Sequence, residues 1–130
     1  MAINNMTIFV FGNADLKGDS LPLEILPELN KEFPNITFEL KDPNEEWDIP
    51  NNLIIIDTVV GIKKITVYND ILKFDNAPRV SMHDFDAFAN IRLLMKLGKI
   101  DKIKIIGIPV NISKKKAISE IVMIINSLYK

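Results

Sequence analysis

Two carboxylates and one imidazole, Asp19, Asp57 and His83, are the residues of this 130-residue chain whose types together suit metal chemistry. Oxygen and imidazole donors of this kind hold divalent transition ions. The chain has no cysteine, which excludes thiolate ligands, thiol catalysis and disulfides together. Asp19 closes the loop Gly12-Asn13-Ala14-Asp15-Leu16-Lys17-Gly18 after the first apolar run. Asp57 follows the run Leu53-Ile54-Ile55-Ile56, and His83, the only histidine, precedes a helix-like pattern. In a parallel α/β sheet the segments that follow strands gather along one edge, so all three can meet there.

Each residue also has a plain structural reading. Asp19 or Ser20 suits the N-cap of the following helix, and an acid used as a cap has fewer lone pairs left for a metal. Asp57 suits a turn at a strand end. Against that, an ionised carboxylate after three buried isoleucines is costly unless it reaches water, a donor or a cation. His83 suits a polar pre-helix turn with Ser81 or Asp84 as cap. There the helix dipole disfavours imidazolium, and the neutral ring is the form a metal needs. Spacing alone leaves these alternatives open.

The elements that must position the trio follow from apolar patterning. Met6 to Phe11, Leu53 to Ile56 and Ile103 to Ile108 are nearly continuous apolar runs, as expected of strands buried on both faces. Ile36 to Leu40 alternates apolar and polar residues, which places it nearer an edge. Ile65 to Val67 and Ile71 to Phe74 read as short strands that can form a hairpin across Tyr68-Asn69-Asp70. Leu21 to Phe33 has helical spacing, with Pro27 predicting an irregular start. Asp84 to Leu97 is a second helix, closed by Gly98. Ser113 caps a third, which turns Ala117, Ile121, Ile124, Ile125 and Leu128 inward. Lys41 to Asn52 reads as a loop, with Trp47 as a loop anchor or an interface aromatic. The expected fold is a three-layer α/β/α arrangement, a mostly parallel twisted sheet of about five strands with helices on both faces.

Length and composition bound the function. A chain of 130 residues with 48% hydrophobic content is expected to form one domain, residues 1–130. With 16 basic and 17 acidic residues, it offers no electrostatic reason to expect nucleic-acid or membrane-surface binding. The apolar runs are too short to span a bilayer, and polar Met1 to Asn5 does not read as a signal peptide. A cytoplasmic protein fits these features. Other frameworks fail on spacing: the first loop has neither the G-x-G-x-x-G fingerprint nor a P-loop Gly-Lys-Ser/Thr.

In this order the motifs resemble the hydrogenase maturation endopeptidases, which remove a C-terminal extension from the large subunit of [NiFe] hydrogenases after nickel insertion. Gly12-Asn13 followed by Asp19 is similar to the family's Gly-Asn turn and its acid at that offset. Leu53 to Thr58 is similar to its apolar strand closed by Asp and a small residue. Ser81-Met82-His83 is similar to its Ser/Thr-x-His segment, and Ile105 to Pro109 to its Gly-(x)-x-Pro strand end. The resemblance covers nearly the whole chain. It implies Asp19, Asp57 and His83 as nickel ligands, Asp19 or Asp57 as the base that activates water, and Gly12 and Asn13 as the supporting loop. It also implies nickel supplied by the substrate, a large-subunit precursor as partner, and no organic cofactor.

The chain departs from the family at Pro22, where a glycine is usual, and at Lys41-Asp42-Pro43-Asn44, where Asp-Gly-Gly is frequent. Its segment between Pro109 and the last helix is also shortened. These departures touch the substrate groove more than the metal ligands. A non-catalytic hydrogenase assembly factor remains an alternative. So does a receiver-like phosphoacceptor domain, although the lysine such a domain needs after its fifth strand is replaced by Gly107-Ile108-Pro109.

Overall fold

The computed structural model describes residues 6–12, 20–41, 52–69 and 91–128. Five strands form one sheet: β1 (Met6–Val10), β2 (Ile36–Leu40), β3 (Asn52–Val59), β4 (Thr66–Tyr68) and β5 (Lys102–Pro109), in the order β2-β1-β3-β5-β4. The β2, β1, β3 and β5 strands run parallel, and β4 joins the β5 edge antiparallel. The mostly parallel α/β sheet expected from the sequence is therefore present, and alternating β2 is at an edge as its pattern required.

Residues of β1, β3 and β5 alternate between two cores because successive side chains of a strand point to opposite faces. On one face Ile8, Val10, Ile54, Ile56, Ile106 and Ile108 pack with Ile25, Leu29, Ala117, Ile121 and Ile125 from helices. On the other, Phe9, Phe11, Leu53, Ile55, Val59, Ile103 and Ile105 pack with Ile91 and Ile100. Helical segments thus cover both faces, which is why these strands read as continuous apolar runs.

Where the sequence predicts one irregular helix, two short ones form: α1 (Leu21–Glu24) and α2 (Leu26–Glu32). Each begins with proline in its first turn, Pro22 and Pro27. A proline inside a continuous helix would cost about 3 kcal/mol, and the break at Ile25 moves Pro27 into a first turn, where its missing N–H is harmless. Ser20 occupies the N-cap position, but its side chain does not cap the backbone; its hydroxyl donates to Glu24 Oε2 at 2.8 Å.

Residues 91–96 are helical (α3), and the expected start of that helix near Asp84 lies outside the described residues. Its end behaves as predicted. Gly98 has φ +77°, and the N–H groups of Gly98 and Lys99 bond the carbonyls of Met95 and Leu94 at 3.1 and 2.9 Å, a Schellman closure. The last helix, α4 (Lys114–Leu128), is capped by Ser113, whose Oγ accepts from the Lys116 N–H at 3.2 Å. Of its expected inward set, Ala117, Ile121 and Ile125 are buried, while Ile124 and Leu128 are partly buried against the same core.

Tyr68 lies in a strand rather than in a hairpin turn. It pairs with Ile105 of β5, and Ile71 to Phe74 lie outside the described residues. Among the described residues no helix is long and apolar enough to cross a membrane.

Candidate functional site

Of the predicted trio, Asp57 is described; Asp19 and His83 lie outside the described residues, as do Asn13 and Trp47. Gly12 follows Phe11 at the C-terminal edge of β1 and is half-buried. The site is therefore built outward from Asp57.

The strand carrying Asp57 is longer than its apolar run. Asp57, Thr58 and Val59 stay in the β3–β5 ladder, in register with Gly107, Ile108 and Pro109. Asp57 is thus part of the sheet and not of a turn beyond it. Its exposure is 0%, and it lies on the face that holds Phe9, Phe11, Ile55 and Val59. An ionised carboxylate among such groups carries a large desolvation cost, which donors or a cation must offset. The Thr58 N–H supplies one donor, 2.8 Å from Asp57 Oδ1.

The neighbours of Asp57 form a row across the same face at the C-terminal edge. On one side Phe11, whose N–H bonds the Ile56 carbonyl at 2.9 Å, extends β1 alongside it. One strand further, the Lys41 N–H bonds the Val10 carbonyl at 2.9 Å, and the Lys41 ammonium sits 4.8 Å from the Phe9 ring centroid and 2.9 Å from Glu39 Oε1. That places one cation two strands from Asp57, roughly 10 Å away at ordinary strand spacing. The sequence reads Lys41 as the first residue of a loop, and no spacing rule marks it as a neighbour of this site.

On the other side stands Gly107. A Cβ there would come within 2.8 Å of Val59 Cγ2 and 3.0 Å of Tyr68 Cε2. The Tyr68 ring, reaching from the edge strand, occupies the space where a side chain of residue 107 would lie. Burial pushes the Tyr68 phenol above its ordinary pKa, so it stays protonated at neutral pH. Tyr68 is a site neighbour that sequence reading missed, because its approach depends on the antiparallel β4–β5 register. The Thr58 side chain projects to the opposite face, where its buried Oγ1 has no hydrogen-bond partner among the described residues.

A buried carboxylate at the carboxyl edge of an open α/β sheet occupies the location where such folds place their ligands. Among the described residues no group of three or more carboxylate or imidazole side chains is poised for a metal; two of the three predicted ligands lie outside that set. The oxygen donor Asp57 fits a hard or borderline divalent ion.

Three solved structures share this fold. The [NiFe] hydrogenase maturation protease HybD from Thermococcus kodakarensis superposes with TM-score 0.65 at 20% identity, over 96% of this chain and 99% of its own. The hydrogenase maturating endopeptidase HybD from E. coli gives TM-score 0.65 at 17% identity, over 94% of this chain and 93% of its own. An endopeptidase from Escherichia coli solved in solution gives 0.59 at 20% identity, over 80% of this chain and 74% of its own. No protein-family model matches the chain, and no curated protein matches it. The fold is that of the hydrogenase maturation endopeptidases, and at these identities the likeness speaks for the fold alone.

Proposed function

We propose that this protein is an endopeptidase that removes the C-terminal extension of a [NiFe] hydrogenase large-subunit precursor after nickel insertion, acting as one domain in the cytoplasm. The observation that carries the reading is the position of Asp57: a fully buried carboxylate in the β3–β5 ladder, beside Gly107, on a fold shared with two solved HybD proteins. Structural upkeep does not call for such a group, since an apolar residue would fill the same space without the desolvation cost.

In this reading the nickel belongs to the substrate. Asp19, Asp57 and His83 engage the ion held by the precursor, and its charge supplies Lewis-acid polarisation at the scissile bond. Asp19 or Asp57 takes a proton from the attacking water as the C–O bond forms. The C–N bond then breaks, the amine leaves with a proton, and the mature subunit ends in a new carboxylate.

The test is processing of nickel-loaded precursor by purified protein, followed by gel mobility. Wild type is expected to shorten the subunit, and Asp57→Asn, Asp19→Asn and His83→Ala are each expected to lower the rate by at least 100-fold. Unimpaired shortening by Asp57→Asn would sink the site assignment. A wild type that binds the precursor and never shortens it would leave the assembly-factor reading in place of the enzyme.

A further inference from the structure

The sequence is nearly neutral overall, with 16 basic and 17 acidic residues, yet its basic residues are not evenly spread. No acid occurs between Asp57 and Asp70, nor between Asp101 and Glu120, while both stretches carry lysines. Fold topology brings parts of these stretches together. Val59 at the end of β3 pairs with Pro109 at the end of β5, so the segments that leave the two strands start side by side.

Between them lies a groove of about 330 Å³ lined by Ile62, Lys63, Pro109, Asn111, Ile112 and Lys116. Ile62 packs against the core on the Asp57 face and Ile112 against the core of the other. The groove therefore straddles the carboxyl edge of the sheet. Its ladder pair Val59–Pro109 is two residues beyond Asp57–Gly107, about 7 Å at strand rise.

The charges are placed against the interest of the fold. The first turn of α4 holds Lys114, Lys115 and Lys116 and no acid, at the end where the helix dipole favours negative charge. Lys114 and Lys115 share a neighbouring groove with Glu28, which offsets part of their charge. The lining of the Lys63–Lys116 groove holds no acid among the described residues. Two lysines, Asn111 and Ser113 line it together with Ile62, Pro109 and Ile112, a mixed polar and apolar lining with basic charge that matches an extended peptide carrying acidic side chains with apolar ones between them.

We infer that this groove docks an acidic–apolar peptide segment of the protein substrate beside the Asp57 site. The inference rests on the proteolytic reading for the identity of the substrate, but binding itself needs no cleavage. Lysine pairs with carboxylates across the rim, and the isoleucines with the intervening apolar side chains. Attraction of this kind falls with ionic strength.

The test is fluorescence anisotropy with labelled synthetic peptides and the full chain. One peptide alternates Glu and Leu, a second replaces Glu by Gln, and a third replaces Leu by Ser. The Glu-Leu peptide is expected to bind at least 10-fold tighter than either control and to weaken at least 10-fold between 50 and 500 mM salt (roughly, as screened charges should). Lys63→Glu with Lys116→Glu is expected to lose at least 10-fold of that affinity while circular dichroism stays unchanged. Lys63→Gln with Lys116→Gln, a milder pair, is expected to lose less but measurably. Equal binding of the Glu-Leu and Gln-Leu peptides would overturn the proposal. Affinity untouched by the lysine variants, or tighter binding of a single-stranded oligonucleotide than of the peptide, would overturn it as well. Asp57→Asn is expected to bind the peptide like wild type, so loss of processing with retained binding separates failure of the catalytic reading from failure of this one.

Discussion

Replacing Gly107 by alanine tests the packing beside Asp57 with a single methyl group. Alanine in a strand interior is ordinarily favoured over glycine by about 0.5–1 kcal/mol. Here the added Cβ would stand 2.8 Å from Val59 Cγ2 and 3.0 Å from Tyr68 Cε2. Val59 is fully buried and β-branched, so it cannot rotate away cheaply. Overpacking of this kind costs about 1–3 kcal/mol, and the close approach to Val59 places Gly107 in the upper half of that range, about 2–3 kcal/mol. After the glycine gain a net destabilisation of about 1–2.5 kcal/mol is left. With a urea dependence near 2 kcal/mol/M, the unfolding midpoint is expected to fall by about 0.5–1.2 M. The cause is isolated by a double-mutant cycle. In a Val59→Ala background the same glycine substitution is expected to cost about 1 kcal/mol less, because its main obstacle is gone. A midpoint that stays level or rises in Gly107→Ala, or a cycle with no coupling, would refute the claim that this glycine exists to admit Tyr68 and Val59 beside Asp57.

Further expectations concern single side chains. Asp57→Asn keeps the shape of the side chain and removes its charge, so thermal stability should hold or rise while any processing is lost; a drop of 3 kcal/mol or more, about the cost of breaking a buried charged network, would make Asp57 a structural residue. Ser113→Ala removes the Oγ acceptor of the Lys116 N–H and should cost about 1 kcal/mol, read from the urea midpoint, with no effect if the cap is cosmetic. The Tyr68 phenol titrates above its ordinary value because burial disfavours the phenolate. The unfolded chain then loses that proton first, so stability is full below about pH 10 and falls as pH rises through the folded value. Tyr68→Phe should flatten that alkaline loss in a pH series of denaturation midpoints, and an unchanged slope would contradict the assignment.

Much of the frame is legible in the sequence because burial on both faces leaves a plain mark. The Ile-rich runs of β3 and β5 read as strands buried on both faces, and the alternation of Ile36 to Leu40 suits a strand nearer an edge, which is where the sheet places them. What was hidden depended on partners far away in sequence. β3 continues through Asp57 and Thr58 because β5 offers Gly107 and Ile108 as ladder neighbours, although polarity breaks the apolar run. Tyr68 reads as a turn residue until β4 pairs with β5. The helix break at Ile25 was half legible: Pro27 announced a disturbance, and only the two first turns show how it is resolved. At the site, residue types singled out Asp57, and its burial adds the cost that function must justify. Lys41 and Tyr68 join it through register, which no spacing rule reads. Asp19 and His83 are legible by type and order alone.

Nickel-triggered removal of a C-terminal peptide is read out by intact-mass spectrometry of a hydrogenase large-subunit precursor incubated with this protein. The precursor is taken in nickel-loaded and nickel-free forms, each with wild type and with Asp57→Asn. One discrete mass loss equal to a C-terminal peptide is expected, with nickel-loaded precursor and wild-type protein only. An unchanged mass in every mixture, or the same loss with Asp57→Asn, would contradict it.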